Sequence, residues 1–222
     1  MTNEPRGQRH PGQELVRRLA LHHLAKCLAP DGERFEASDE DLSLLDLEGV
    51  DLAGAAFLRV TFDGSNLRRS GLSRASIAHS SMRDVDLSLA DLHKARVEST
   101  VLAGAFLVHA LLNGMDAHDV DFRGTDFSWS TARALHCDGC DLRNAVLRDM
   151  RLDYTTFRDC RMKGADLTGS SGTLARGSRI DVGDDGASEV LEGEALLAWF
   201  RDAGTTVTWS DPPWESDLRR QA

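Results

Sequence analysis

The chain has 222 residues, with 36 acidic against 26 basic side chains and a formal charge of −10. That length fits one domain with short appendages, and a hydrophobic content of 41% suffices for a core. No run approaches eighteen apolar residues, and residues 1–11 lack an apolar signal core, so neither a membrane span nor secretion is expected. Acidity disfavours direct contact with nucleic acid, and four cysteines without a leader point to free thiols in the cytoplasm.

Residues 1–12 are polar, end in Pro11–Gly12 and read as a disordered tail. Residues 13–39 begin with Leu15, Val16, Leu19, Leu24 and Leu28 at helical spacing, stopped by Pro30–Asp31–Gly32. This segment is expected to be an N-terminal capping helix and linker, because a solenoid must cover its open end.

From 40 to 170 one rule governs the chain. An apolar residue returns at every fifth position from Leu42 to Leu167, 26 times in one phase. Two positions earlier stands a smaller residue, and between the two is often Asp or Asn, as in Val50–Asp51–Leu52 and Ala165–Asp166–Leu167. A period of five fits neither a helix at 3.6 nor a strand at 2. It suits a chain that turns a corner every five residues, two side chains in and three out, closing a coil after twenty. Ala117 and Cys137 are undersized for the large inward slot, and Met115 and Leu135 beside them are expected to fill the volume.

Residues 171–222 form a C-terminal appendage of short strands and one helix. Ile180 and Val182 alternate as a strand, and 194–203 read as a helix with Leu196, Trp199 and Phe200 on one face and Gly204 as its stop. Thr205 to Trp209 alternates again. A short segment exposing Trp199 and Phe200 is expected to bury them in a homodimer.

The five-residue unit resembles the consensus of the pentapeptide-repeat family, Ala–Asp/Asn–Leu–x–x. The resemblance implies an all-β solenoid, a right-handed quadrilateral β-helix. It further implies a non-enzymatic protein-binding role, since the best-described members bind type II topoisomerases, DNA gyrase or topoisomerase IV. Their acidic rods act as DNA mimics and confer resistance to enzyme poisons such as quinolones. In that branch a C-terminal helix makes the dimer.

Folding the sequence at twenty residues exposes four groups. Asp41, Asp46, Glu48 and Asp51 form one dense acidic stretch, the expected contact for a topoisomerase. The outward apolar residues Leu89, Phe106, Val108, Trp129 and Val146 gather on the second side of the coil, with His109 between Leu89 and Trp129. This patch is expected to dock the appendage first, a second copy or another protein otherwise, and it supports the alternative of a scaffold or adaptor. Asp116, His118, His136 and Asp138 form a square on the fourth side, read as a charge ladder, with a divalent metal site as the other reading. Cys137–Asp–Gly–Cys140 is a C-x-x-C, yet both thiols fall in inward slots, with Cys160 one coil above Cys140, so structural thiols are expected rather than zinc. No triad order or phosphate loop points to catalysis or to a cofactor.

Overall fold

The structure, a computed structural model, describes residues 34–184 and 186–209. The expected tail and N-terminal capping helix therefore lie outside the described residues. What is described is a parallel β-solenoid of about seven turns with one helix.

Seven three-residue strands stack in exact twenty-residue register: β1 (Glu36–Ser38), β2 (Ala56–Leu58), β3 (Ser76–Ala78), β4 (Arg96–Glu98), β5 (Asp116–His118), β6 (His136–Asp138) and β7 (Thr156–Arg158). The longer β8 (Ser171–Ser178) follows, pairing Thr156–Arg158 with Arg176–Ser178. Three further columns of parallel bridges pass through Asp41, Asp46 and Asp51 and their equivalents in later coils. Each coil thus has four sides, counted here from Asp41, with the strands on the fourth.

The five-residue pattern has a local cause. On the first three sides the carbonyl of the large inward residue accepts an N–H three residues on, as in Leu102 with Ala105, Leu107 with Ala110 and Leu112 with Met115. The residue before that donor takes a left-handed conformation. Among the described residues, all twenty non-glycine residues with positive φ fall at this one position of the repeat, from Ser99 at 46° to Leu89 at 63°. Glycine, which adopts this conformation without steric cost, fills many of the others, for example Gly104 at 72°. The Asp or Asn of the repeat completes the corner, its Oδ1 accepting the N–H two residues on. Asp91 receives His93 N–H at 2.9 Å, Asp126 receives Ser128 N–H at 2.9 Å, and Asn66 receives Arg68 N–H at 3.1 Å.

The inward slots form one continuous core, in which Leu107, Phe122 and Leu152 are fully or almost fully buried. Small-slot hydroxyls donate to a carbonyl 23 residues earlier: Ser65 to Leu42 at 2.6 Å and Thr125 to Leu102 at 2.7 Å. A space of about 10 Å³ remains beside Cys137, Met115 and Leu135. Compensation is thus incomplete at Cys137, while Ala117 does not line the space. Its walls are apolar, so it stays dry.

The coil does not end at residue 170, where the large-residue pattern stops. Bridges continue to Asp181, and Gly172 and Gly177 occupy the inward positions of the last turn. Gly177 has a reason: a Cβ there would stand 2.9 Å from Phe200 Cε2 and 3.1 Å from Leu196 Cδ2. Both side chains belong to α1 (Gly193–Asp202), which lies over the end of the core and buries them. The chain reaches α1 through a small antiparallel pair, β9 (Ile180–Asp181) with β10 (Val190–Leu191). It leaves at Gly204, φ +75°, and returns as β11 (Thr206–Trp209), parallel to β8. The appendage is therefore a cap continuous with the solenoid.

Leu107→Asp places an unpaired charge between coils and should cost ~4 kcal/mol or more, read as collapse of the melting transition. A soluble variant with unchanged melting contradicts the register. Gly177→Leu restores the repeat pattern but occupies the seat of Phe200. We expect it to lift α1 and destabilise by ~2 kcal/mol, measured by chemical denaturation, with faster hydrogen exchange in 193–202. Unchanged exchange there contradicts the capping role.

Candidate functional site

Among the described residues the outward columns of the coil carry the candidate sites. Side chains twenty residues apart lie one above the next at roughly 4.8 Å.

The second side carries the apolar patch. Leu89, Phe106 and Trp129 are 41%, 48% and 54% exposed, with half-buried Val108 and Val146 between them. Leu89, His109 and Trp129 share the left-handed corner, so their side chains project in one line. His109 stacks on Trp129 with ring centroids 5.5 Å apart and planes 24° from parallel. The helix of the appendage does not dock here, because α1 is engaged with the end of the core. Among the described residues nothing covers the patch.

The acidic stretch is less bare than its sequence implied. Glu48 is paired with Arg69 one coil above at 2.6 Å, and Asp46 accepts from the Asn66 amide at 2.8 Å. Asp41 and Asp51 each hold a corner N–H, from Ser43 at 3.0 Å and Ala53 at 2.9 Å. A linear reading saw no base within the stretch, but twenty-residue stacking supplies one from the next coil.

The Asp/His square is part of a vertical charge ladder. His118 lies 2.9 Å from Asp116 and 3.7 Å from Asp138, one ring nitrogen toward each. Arg96 sits below Asp116, and Arg158 closes on Asp138 in bidentate fashion. The bond from Arg158 holds the Asp138 carboxyl below the usual carboxylate range. Among the described residues no three such groups converge as metal ligands.

The C-x-x-C thiols are buried and unbridged. Cys140 Sγ donates to the Ala117 carbonyl at 3.4 Å and Cys160 Sγ to that of Cys137 at 3.5 Å, the same 23-residue step that Ser65 and Thr125 use. A hydrogen bond with Cys140, together with burial, pushes the Cys137 and Cys160 thiols well up. Cys140 and Cys160 are core thiols in hydroxyl positions, and Cys137 fills a large apolar slot. Trp199 is half-buried and packs on Phe200 at 5.1 Å, and Phe200 is completely buried within its own chain. A second subunit is not needed to bury Phe200, because the glycine at 177 leaves a seat for it in the last coil.

Cys140→Ser should therefore change stability by less than ~1 kcal/mol, because serine performs this role at position 65. Cys137→Ser, in an apolar slot, should cost ~1–3 kcal/mol. Equal effects in denaturant titrations contradict the assignment of roles.

Among known proteins, a sequence model of pentapeptide repeats matches residues 98–131 and 136–169 in eight copies. No curated protein matches the chain. Solved structures that resemble it include a trypsin-treated form of QnrB1, a plasmid-mediated fluoroquinolone resistance protein. That likeness has a TM-score of 0.55 at 14% identity, covering 84% of this chain and 94% of the other. HetL, a pentapeptide repeat protein involved in heterocyst differentiation regulation in the cyanobacterium Nostoc, matches at 20% identity over 73% and 89%, with a TM-score of 0.33. Residues 98–131 and 136–169 are thus pentapeptide repeats, and the twenty-residue register they keep continues through the described coils on either side.

Proposed function

We propose that this chain is a non-enzymatic protein-binding rod whose partner is a type II topoisomerase, DNA gyrase or topoisomerase IV, and that it acts in resistance to poisons of those enzymes. The observation that carries this reading is the fold likeness to QnrB1, whose stated role is fluoroquinolone resistance. A right-handed, four-sided coil of about seven turns would be a rod of roughly 35 Å. Its surplus of carboxylates, at a charge of −10 for the whole chain, would stand in for duplex phosphates in a basic protein groove.

A second reading is a scaffold or adaptor. It is favoured by the pairing of acids with bases, as in Glu48 with Arg69, Asp86 with Arg68 and Asp166 with Arg148, which breaks any continuous acidic stripe. The open apolar patch points the same way.

Gyrase supercoiling with the purified protein, with and without a quinolone, separates the two. The first reading expects inhibition or protection at micromolar protein. It also expects D41N, D46N, E48Q and D51N together to weaken the effect about tenfold while melting is unchanged. The corner bonds should survive these changes, since Asn66 makes the same bond with an amide oxygen. No effect in either assay leaves the adaptor.

A further inference from the structure

We propose that the second side is a homodimer surface, on which a second copy of this chain docks antiparallel about a two-fold axis at the level of His109. The inference goes beyond the topoisomerase reading and does not depend on it.

Exposure alone says only that something covers this face. The order of residues along it says what. The corner column of the second side reads Arg69, Leu89, His109, Trp129 and Asp149, each one coil above the last. Turned end for end about His109, this column is complementary to itself. Arg69 stands opposite Asp149, Leu89 opposite Trp129, and His109 opposite its own copy. A two-fold axis across the rods keeps each column facing the same column of the partner, so the match repeats on both halves. A parallel pair would instead set Arg69 against Arg69 and Asp149 against Asp149, which is repulsive.

In the neighbouring column Phe106 falls on the axis level and meets its own copy, with Val108 beside it. Asp126, which forms no ion pair among the described residues, stands opposite Asp86, whose carboxylate is already held by Arg68 of its own chain at 3.2 Å. Asp149 likewise has no ion pair of its own among the described residues, and its exposed carboxylate is offered Arg69. The pitch is the final argument. Only a partner with the same spacing between coils keeps five consecutive levels in step, and a second copy has that spacing by construction. The result is an aromatic and aliphatic centre closed at each end by a charge pair, the usual anatomy of an interface.

Sedimentation equilibrium of the full chain from ~1 to ~100 μM should show a dimer. Trp129→Glu and, independently, Leu89→Arg should weaken it at least ~tenfold while the melting temperature holds, because both side chains are exposed. Cross-linking tests the axis. In a Cys27→Ser background, with the other three cysteines buried, His109→Cys should form a disulfide-linked dimer on mild oxidation with copper phenanthroline. Leu89→Cys and Trp129→Cys should each cross-link poorly alone and efficiently when mixed. A monomer throughout the range overturns the proposal. So does a dimer that persists in Trp129→Glu and Leu89→Arg, or one in which Leu89→Cys links to itself, which would place the contact on the appendage or in parallel register.

Discussion

The structure depends on one constraint, that the backbone turn left-handed at every fifth residue. For a residue with a Cβ this conformation costs about 1 kcal/mol, and twenty such residues adopt it. They hold because each corner is fixed from both sides. Backbone N–H groups above and below are tied to neighbouring coils, as Leu107 N–H is to Asp126 and Asp126 N–H is to Ala105. A corner released alone would break its own ladder bonds and expose the inward side chain next to it. The strain is local, while its support is distributed over the stack.

The same constraint explains the ends. A coil at the end of the stack has one face of its core unpaired, and a further repeat would only move the problem. The chain ends the series by substitution: Gly172 and Gly177 stand where large inward residues would be, and at Gly177 Leu196 and Phe200 descend from α1 into the space. The loss of phase after Leu167 is therefore part of the repeat's logic. It opens the socket that the cap fills, and β11 then covers the edge of β8.

Much of this was legible in the sequence because a period repeated 26 times averages out local exceptions. The inward assignment of Ala117 and Cys137 follows from phase alone, against their size. The helix and its stop at Gly204 were equally plain. Three features escaped. The role of the Asp was invisible, because an Asx bond depends on corner geometry and not on spacing. The end of the solenoid was misplaced at residue 170, because glycine carries no hydrophobic signal even where it is inward. The burial of Phe200 depended on a socket formed by residues 23 positions away. In the candidate sites, columns predicted neighbours correctly, as His109 on Trp129 shows, but ion pairing between coils needed coordinates.

That last point bears on what the surface can do. Stacking at a fixed pitch places every outward residue between two others of its column, so charge on one coil is answered by the next. Arg96, Asp116, His118, Asp138 and Arg158 alternate up the fourth side, and Asp121, Arg123, Asp141 and Arg143 interlock on the first. Such ladders stabilise a little and leave a field of short range, because each carboxylate already has a cation nearby. The side that departs from alternation is the second, where aromatic and aliphatic residues replace the charges over successive middle coils. A rod most of whose ladder charges are answered within itself recognises partners where that pattern is broken, and here the break coincides with the column that is complementary to its own inverse.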